Sequence, residues 1–450
     1  MGQRVAFMFP GQGAYLPGAF AKVDCEPVVH DVLQTMDERS VEYWGDRVSP
    51  LLLETDAPRV DELLERRPQV LQLAILATST IVFRLLGRLG IHPDVVVGHS
   101  LGEYSALVAA GMLTLDDAAR ALCERDRAFL EVSPPPGGLL ATELGPRRAE
   151  GLLTAMDDWG LALAVFNGPR QTVVSGRREA LGRLEKAIAG LDLSAVRLKA
   201  PYAFHNPMLR DVAQLFRESG PDLAVASPRC RVYSPILSRY ISSRDDIREL
   251  SESQFTSPVR FYGAMQSLHS DGVEVFVECG ARNALTKLVR ACLPTHMKTI
   301  APLTHHVTLD GIRAEFADEV SPASSAPMTL PNPLRTAVSP VASLPEPLKT
   351  AALEQTPRRP GVPSVDDIIS ELRKRYAASL EYPEKYLTED ADLEADLGVD
   401  SLKQTELLRQ TMDHYEDLDL PSNFRISDFP TLRSLAEYLH PRITVAAVGM

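Results

Sequence analysis

Apolar positions over the first three hundred residues alternate between two rhythms. Val5 to Phe9 (VAFMF) is an unbroken apolar run that stops at Pro10-Gly11-Gln12-Gly13, a loop of turn residues, and this predicts a short buried strand entering a tight turn. Helical spacing follows and is densest from Gln69 to Leu86. Asp94 to Val97 (DVVV) then predicts a second buried strand that runs into Gly98. Strands alternating with helices predict an α/β layer built on a mainly parallel sheet.

The rhythm changes between about Phe129 and Leu198. Gly138 to Glu143, Leu161 to Asn167 and Gln171 to Ser175 have the length and composition of short strands, and Arg178 to Leu191 has helical spacing. This outlines a small α+β subdomain inserted at about 129–198. The α/β pattern returns with Val273 to Glu278 (VEVFVE). Ser321 to Pro363 holds 10 of the 34 prolines among many Ala, Ser and Thr, a composition that cannot bury enough surface to fold and predicts a semi-extended linker. Beyond it, Val365 to Leu380, a stretch from Ser401 and Thr431 to Leu439 repeat at helical spacing and predict a small bundle over 364–442. The expected divisions are therefore a large unit over 1–300, a connecting stretch over 301–363, the bundle, and a tail over 443–450.

Composition refines this outline. The formal charge is −13 over 450 residues. Ser364 to Arg442 carries 18 acidic and 9 basic side chains, so the bundle is strongly acidic while the larger unit is nearly balanced. Such a balance argues against nucleic acid or an anionic membrane as partner. The five cysteines are scattered and form no CxxC pair, which suits a reducing cytoplasm and gives no zinc-binding pattern. The most apolar stretch, Leu71 to Gly87, is interrupted by Gln72, Thr78, Ser79, Thr80 and Arg84 and is expected not to span a bilayer. Arg4 leads straight into the first strand, without a signal-peptide pattern.

The candidate chemistry lies where the second strand ends. Gly98-His99-Ser100-Leu101-Gly102 fits G-x-S-x-G between a strand and a helix, the setting in which a sharp turn exposes a serine oxygen. The following helix would aim its dipole and free N–H groups at a developing oxyanion. A nucleophilic serine needs a base, and ten histidines are available. His205 lies in a turn-like segment, Tyr202-Ala203-Phe204-His205-Asn206-Pro207, while His99 adjoins the serine at an elbow where neighbours point apart and is expected to pack or bond locally. Residues alone leave the choice open.

Phe9-Pro10-Gly11-Gln12-Gly13, Gly98-His99-Ser100-Leu101-Gly102-Glu103-Tyr104 and Ala203-Phe204-His205 occur in one order. In that order they resemble malonyl-CoA:ACP transacylases and the acyltransferase domains of polyketide synthases, over about residues 3–300. The resemblance implies a hydrolase-like parallel-sheet core with an inserted ferredoxin-like subdomain. It implies Ser100 as nucleophile, His205 as general base oriented by a backbone carbonyl, and the N–H groups of Gln12 and Leu101 as oxyanion hole. Gln72 matches a pocket-lining glutamine, and Asn167 falls where the small subdomain faces the site. Arg125, in Cys123-Glu124-Arg125-Asp126-Arg127, matches the arginine that grips the free carboxylate of a malonyl group, a task suited to a planar, permanently charged guanidinium. Arg127 competes for that role. Phe204 and Leu101 resemble malonyl-selective members; Tyr202 leans toward methylmalonyl selection.

Asp396-Leu397-Gly398-Val399-Asp400-Ser401-Leu402 resembles the attachment motif of acyl carrier proteins. This implies 4'-phosphopantetheine on Ser401, installed by a phosphopantetheinyl transferase, with the phosphate favoured at a helix start. The resemblance as a whole implies transfer of a malonyl-type group from a coenzyme A thioester to the chain's own or a separate carrier, with ketosynthase and other synthase domains as partners and no resident metal. A 43-residue linker, spanning on the order of 35 Å, would let Ser100 and Ser401 meet. Alternatives are starter-unit loading of a non-malonyl group, an editing hydrolase, and an inactive docking scaffold. Val445 to Met450 resembles the first strand of a ketosynthase, an expected start of a further domain.

Overall fold

The computed structural model describes residues 3–304 other than 24 and 159, and toward the C-terminus residues 364–380, 393, 408, 429 and 431–448. The Ser401 motif and most of the linker lie outside the described residues. The chain divides into two compact units, Met1–Asn332 and Pro333–Met450.

The first unit is built on two sheets. The larger uses β1 (Arg4–Phe9), β2 (Val95–Gly98), β7 (Arg231–Ser234), β8 (Arg239–Ile241), β9 (Val273–Glu278) and β10 (Lys298–Ile300) in the order β10-β9-β1-β2-β7-β8. All neighbours are parallel except β8, which returns antiparallel to β7. The smaller sheet uses β3 (Gly137–Thr142), β4 (Leu161–Gly168), β5 (Gln171–Arg177) and β6 (Ala195–Leu198), fully antiparallel in the order β4-β5-β3-β6. Helices Pro146–Met156 and Arg178–Ala189 cover it through Ala149, Leu181, Leu184 and Ile188. The helix Leu115–Val132 runs past the expected boundary at Phe129, so the small subdomain starts at β3. Leu122, Ala128 and Phe129 keep the buried stripe continuous there, and the helix stops at Ser133, a left-handed residue ahead of three prolines.

The central strands of the larger sheet are buried on both faces: Ala6, Phe7, Met8 and Phe9 of β1 and Val96 and Val97 of β2 expose nothing. This is the reason their sequence runs are continuous rather than alternating. The helix Pro68–Arg88 packs against them. At 21 residues it contains a window long and apolar enough to cross a membrane by length and composition alone, despite its polar interruptions. That window is 83% buried within the fold, and Thr78 and Thr80 bond back to the carbonyls of Ala74 and Leu76, so those polar atoms do not expose the helix to water. It is the core helix of the unit.

In the second unit, helix Val365–Leu380 presents Ile368, Ile369, Leu372 and Tyr376, and helix Leu432–Val448 presents Leu432, Leu435, Ala436 and Leu439. These residues bury one another together with Leu393 and Leu408. Ser364 caps the first helix: its Oγ accepts from the Asp367 N–H at 3.2 Å and the Asp367 carboxylate accepts from the Ser364 N–H at 2.9 Å. The last helix continues to Val448, which replaces the strand expected from Val445 onward. A six-residue run is too short for periodicity to tell helix from strand.

Candidate functional site

Strand register brings the two signature loops together. Phe9 pairs with Gly98 at the C-terminal ends of β1 and β2, so Pro10–Gly13 and the G-x-S-x-G turn leave the sheet side by side. Ligands of open α/β sheets bind at this end. The His99 N–H donates to the Phe9 carbonyl at 2.9 Å. Glycine is required by contact here. A Cβ on Gly102 would lie 2.0 Å from the Phe9 carbonyl oxygen, and one on Gly98 would lie 2.3 Å from the Glu103 backbone. Ser100 itself adopts φ 55°, a left-handed conformation that costs a non-glycine residue about 1–3 kcal/mol and that turns its side chain out of the chain path.

Ser100 Oγ lies 2.7 Å from His205 Nε2. His205 Nδ1 lies 2.9 Å from the Ser257 carbonyl oxygen, which can only accept, so Nδ1 carries the hydrogen and Nε2 is left to accept from the serine hydroxyl. The Ser257 carbonyl is the orienting group that sequence could not assign. Its position depends on Val259, whose N–H donates to the Ala164 carbonyl at 2.9 Å and whose carbonyl accepts from Phe166 N–H at 2.8 Å; the loop is thus tied to β4 of the small sheet. Asn206 holds the other side, donating from Nδ2 to the Ser175 carbonyl at 3.2 Å and accepting from Met208 N–H at 2.9 Å. Burial pushes the His205 imidazole down to about 3, and the Arg125 charge adds to that effect against the bond to Ser257. The ring is neutral at physiological pH, as a general base must be.

The N–H groups of Gln12 and Leu101 have no hydrogen-bond partner among the described residues. His99 both packs and bonds, as expected, and it also reaches beyond its neighbours. Its Nε2 meets Asn167 Oδ1 at 2.9 Å and its ring packs on Phe261 with centroids 5.3 Å apart, so Asn167 on β4 supports the turn from the small subdomain.

Arg125 and Arg127 separate cleanly. Arg127 is exposed and pairs with Glu124 at 3.2 Å, whereas Arg125 is 5% exposed. The Arg125 guanidinium donates to Gln72 Oε1 at 2.6 Å, and its Nε is buried without a partner among the described residues. Phe204, Phe129 and Phe255 surround it with ring centroids at 5.5, 5.8 and 5.8 Å, within cation–π range. Tyr202 stacks on Phe129 at 4.5 Å. A cavity of about 200 Å³ adjoins this group, walled in part by Gln72, Asp126, Phe129, Tyr202 and Phe204. Sequence reasoning missed Ser257, Asn206, Phe129, Phe255 and Asp126. The helical spacing of Leu122, Arg125, Asp126 and Phe129 is the available signal for Phe129 and Asp126, because it sets both on the buried stripe with Arg125. Among the described residues no group of three His, Cys, Asp or Glu could hold a metal. The arrangement can activate a serine hydroxyl, hold an oxyanion on two backbone N–H groups, and offer a buried cation to an anionic substrate.

The family described as acyl transferase domain matches residues 6–329, and the family described as phosphopantetheine attachment site matches residues 370–439. The chain is 31% identical over 322 residues to the malonyl CoA-acyl carrier protein transacylase of Bacillus subtilis, covering 69% of this chain and 98% of that protein. It is 30% identical over 297 residues to polyketide synthase GfsA of Streptomyces halstedii, 65% of this chain but only 4% of the synthase. Among solved structures, the malonyl CoA-acyl carrier protein transacylase of Coxiella burnetii superposes with TM-score 0.63 at 25% identity, covering 71% of this chain and 99% of that one. A loading acyltransferase from the avermectin polyketide synthase superposes with TM-score 0.62 at 27% identity, covering 70% and 98%.

Proposed function

Because the chain belongs to the acyl transferase domain family and carries a phosphopantetheine-attachment domain, we propose that Ser100 takes a malonyl-type acyl group from a coenzyme A thioester and yields it to a carrier thiol. The observation that carries this reading is the 2.7 Å contact between Ser100 Oγ and the neutral His205 ring, with the buried Arg125 cation on the same unit. As the Oγ–carbonyl carbon bond forms, His205 Nε2 takes the serine proton, and the N–H groups of Gln12 and Leu101 hold the oxyanion. The C–S bond then breaks and His205 returns the proton to the departing thiolate. In the second half-reaction His205 takes the proton of the incoming thiol, which attacks the Ser100 ester, and then gives it to Ser100 Oγ. Arg125 holds the acyl carboxylate while Gln72, Phe204 and Tyr202 shape the surroundings.

Ser401 is the residue we assign to carry 4'-phosphopantetheine: its hydroxyl falls within the matched residues 370–439, and that group can form the phosphodiester a phosphopantetheinyl transferase makes. When bound, the arm supplies a thiol on a flexible tether. The acidic bundle suits docking on partner enzymes, and ketosynthase and other synthase domains fit a polyketide or fatty-acid-like setting. We read the small sheet as ferredoxin-like, from its β-α-β-β-α-β order, and the second unit as a four-helix carrier bundle. A cytoplasmic setting fits five free thiols.

The test is intact-protein mass spectrometry of the phosphopantetheinylated chain mixed with equal malonyl-, methylmalonyl- and acetyl-CoA. A malonyl adduct on Ser401 that is lost in Ser100→Ala is the expected result. An acetyl adduct in its place would mark a starter-unit loader, and free malonate without adduct would mark a hydrolase.

A further inference from the structure

Beside Arg125 the pocket holds a carboxylate with no role in the steps above. Asp126 is 9% exposed, and its Oδ1 accepts from Gln72 Nε2 at 2.8 Å while Gln72 Oε1 accepts from Arg125 at 2.6 Å. Three side chains therefore form a line, carboxylate to amide to guanidinium. The acceptor at Asp126 decides which way the Gln72 amide faces, since only with its NH₂ toward Asp126 does its oxygen face Arg125. Asp126 Oδ2 has no partner among the described residues, and the residue walls the cavity of about 200 Å³ that Gln72 and Phe204 also line.

We propose that Asp126 is a positioning residue that tunes carboxylate selection, aligning Arg125 through Gln72 while its own charge opposes a second carboxylate on that arginine. The inference rests on the acyltransferase reading given above. Two anions near one cation in a poorly solvated site repel, so the ionised Asp126 lowers the advantage of a malonyl over an uncharged acyl group. The neutral acid removes that opposition. Burial raises the Asp126 carboxyl to about 6, against the opposing pull of Arg125 and the Gln72 bond. Asp126 is therefore mostly charged above that value and mostly neutral below it. The groups that feel it are Arg125 and Cys123 on its own helix, Tyr104 on helix Gly102–Ala109, and Tyr202; Arg66 shares the cavity wall. None of the cysteine and tyrosine groups is moved toward neutrality of pH, because burial raises each of them.

The experiment measures acyl-enzyme formation on Ser100 from malonyl-CoA and from acetyl-CoA in the full chain, between pH 5 and 8. The malonyl-to-acetyl ratio is expected to rise roughly tenfold as pH falls from 7.5 to 5.5, the factor equivalent to one pKa unit of coupling. Asp126→Asn keeps an acceptor for Gln72 and loses the charge, so its ratio should stay at the low-pH value throughout. Asp126→Ala loses both and should lower malonyl loading at every pH through KM. A flat ratio in the unsubstituted chain overturns the proposal without any variant. A pH trend that persists in Asp126→Asn also overturns it, since Glu278, raised to about 7 by burial, and Glu103, raised to about 8, remain in that protein. Failure of both thioesters to acylate Ser100 overturns instead the acyltransferase reading, and the inference with it.

Discussion

His205 and Ser257 stand 52 residues apart in the chain, yet the imidazole Nδ1–H donates to the Ser257 backbone carbonyl at 2.9 Å. A carbonyl stands where many serine enzymes use a carboxylate. It selects the tautomer as a carboxylate would, but carries no net charge to stabilise an imidazolium. The buried ring is accordingly held neutral, and in the proposed reaction the positive charge it acquires would be balanced by the oxyanion that forms at the same moment.

Replacing Ser257 is therefore expected to do little, because the donor's partner is main chain, whereas His205→Ala should slow acylation of Ser100 by about 10²–10⁴-fold, the usual contribution of a positioned base. Quench-flow mass spectrometry of the acyl-enzyme measures both.

The pH profile has a definite sign. With the His205 pKa depressed to about 3, the active neutral form persists at all higher pH and is lost only as pH falls toward that value. In the Asp126→Asn variant, where the neighbouring carboxyl no longer titrates, acylation by malonyl-CoA should show no inflection near the ordinary histidine value of ~6.5. An inflection there that survives Glu278→Gln, which removes the other carboxyl raised to about 7, would mean that the ring is solvated.

Arg125→Ala should reduce malonyl loading by about 10–100-fold, from ~1.5–3 kcal/mol per charged hydrogen bond, and leave acetyl loading nearly unchanged. Competition between the two thioesters reads the ratio directly. Equal losses for both would assign Arg125 to structure.

Phe204 is 7% exposed and faces both Arg125 and Phe129. Phe204→Ser should raise methylmalonyl relative to malonyl transfer by at least about fivefold, given that space for one methyl group is worth ~1–3 kcal/mol. An unchanged ratio would move the selector elsewhere.

Gly102→Ala tests the elbow itself. A Cβ there would meet the Phe9 carbonyl oxygen at 2.0 Å, so β1 and the turn cannot both keep their positions. A loss of about 1–3 kcal/mol or more is expected, read as a fall in thermal midpoint together with loss of Ser100 acylation.

Sequence by itself determined the elements that depend on near neighbours. Continuous apolar runs marked β1, β2 and β9 because strands buried on both faces have no polar side. G-x-S-x-G marked the elbow, where Gly98 answers a local contact with Glu103, and the resemblance carried by the ordered motifs implied Ser100, His205 and Arg125. Tertiary structure alone decided what required distant chain segments to converge. It chose the Ser257 carbonyl, whose loop is held by β4, and it joined His99 to Asn167. It also buried Arg125 and exposed its competitor Arg127, since two residues along a helix turn a side chain from the core to water. The Asp126–Gln72–Arg125 line joins two helices through residues more than fifty positions apart. Hydrogen-bond direction is a property of the assembled pocket, and no spacing within one segment encodes it.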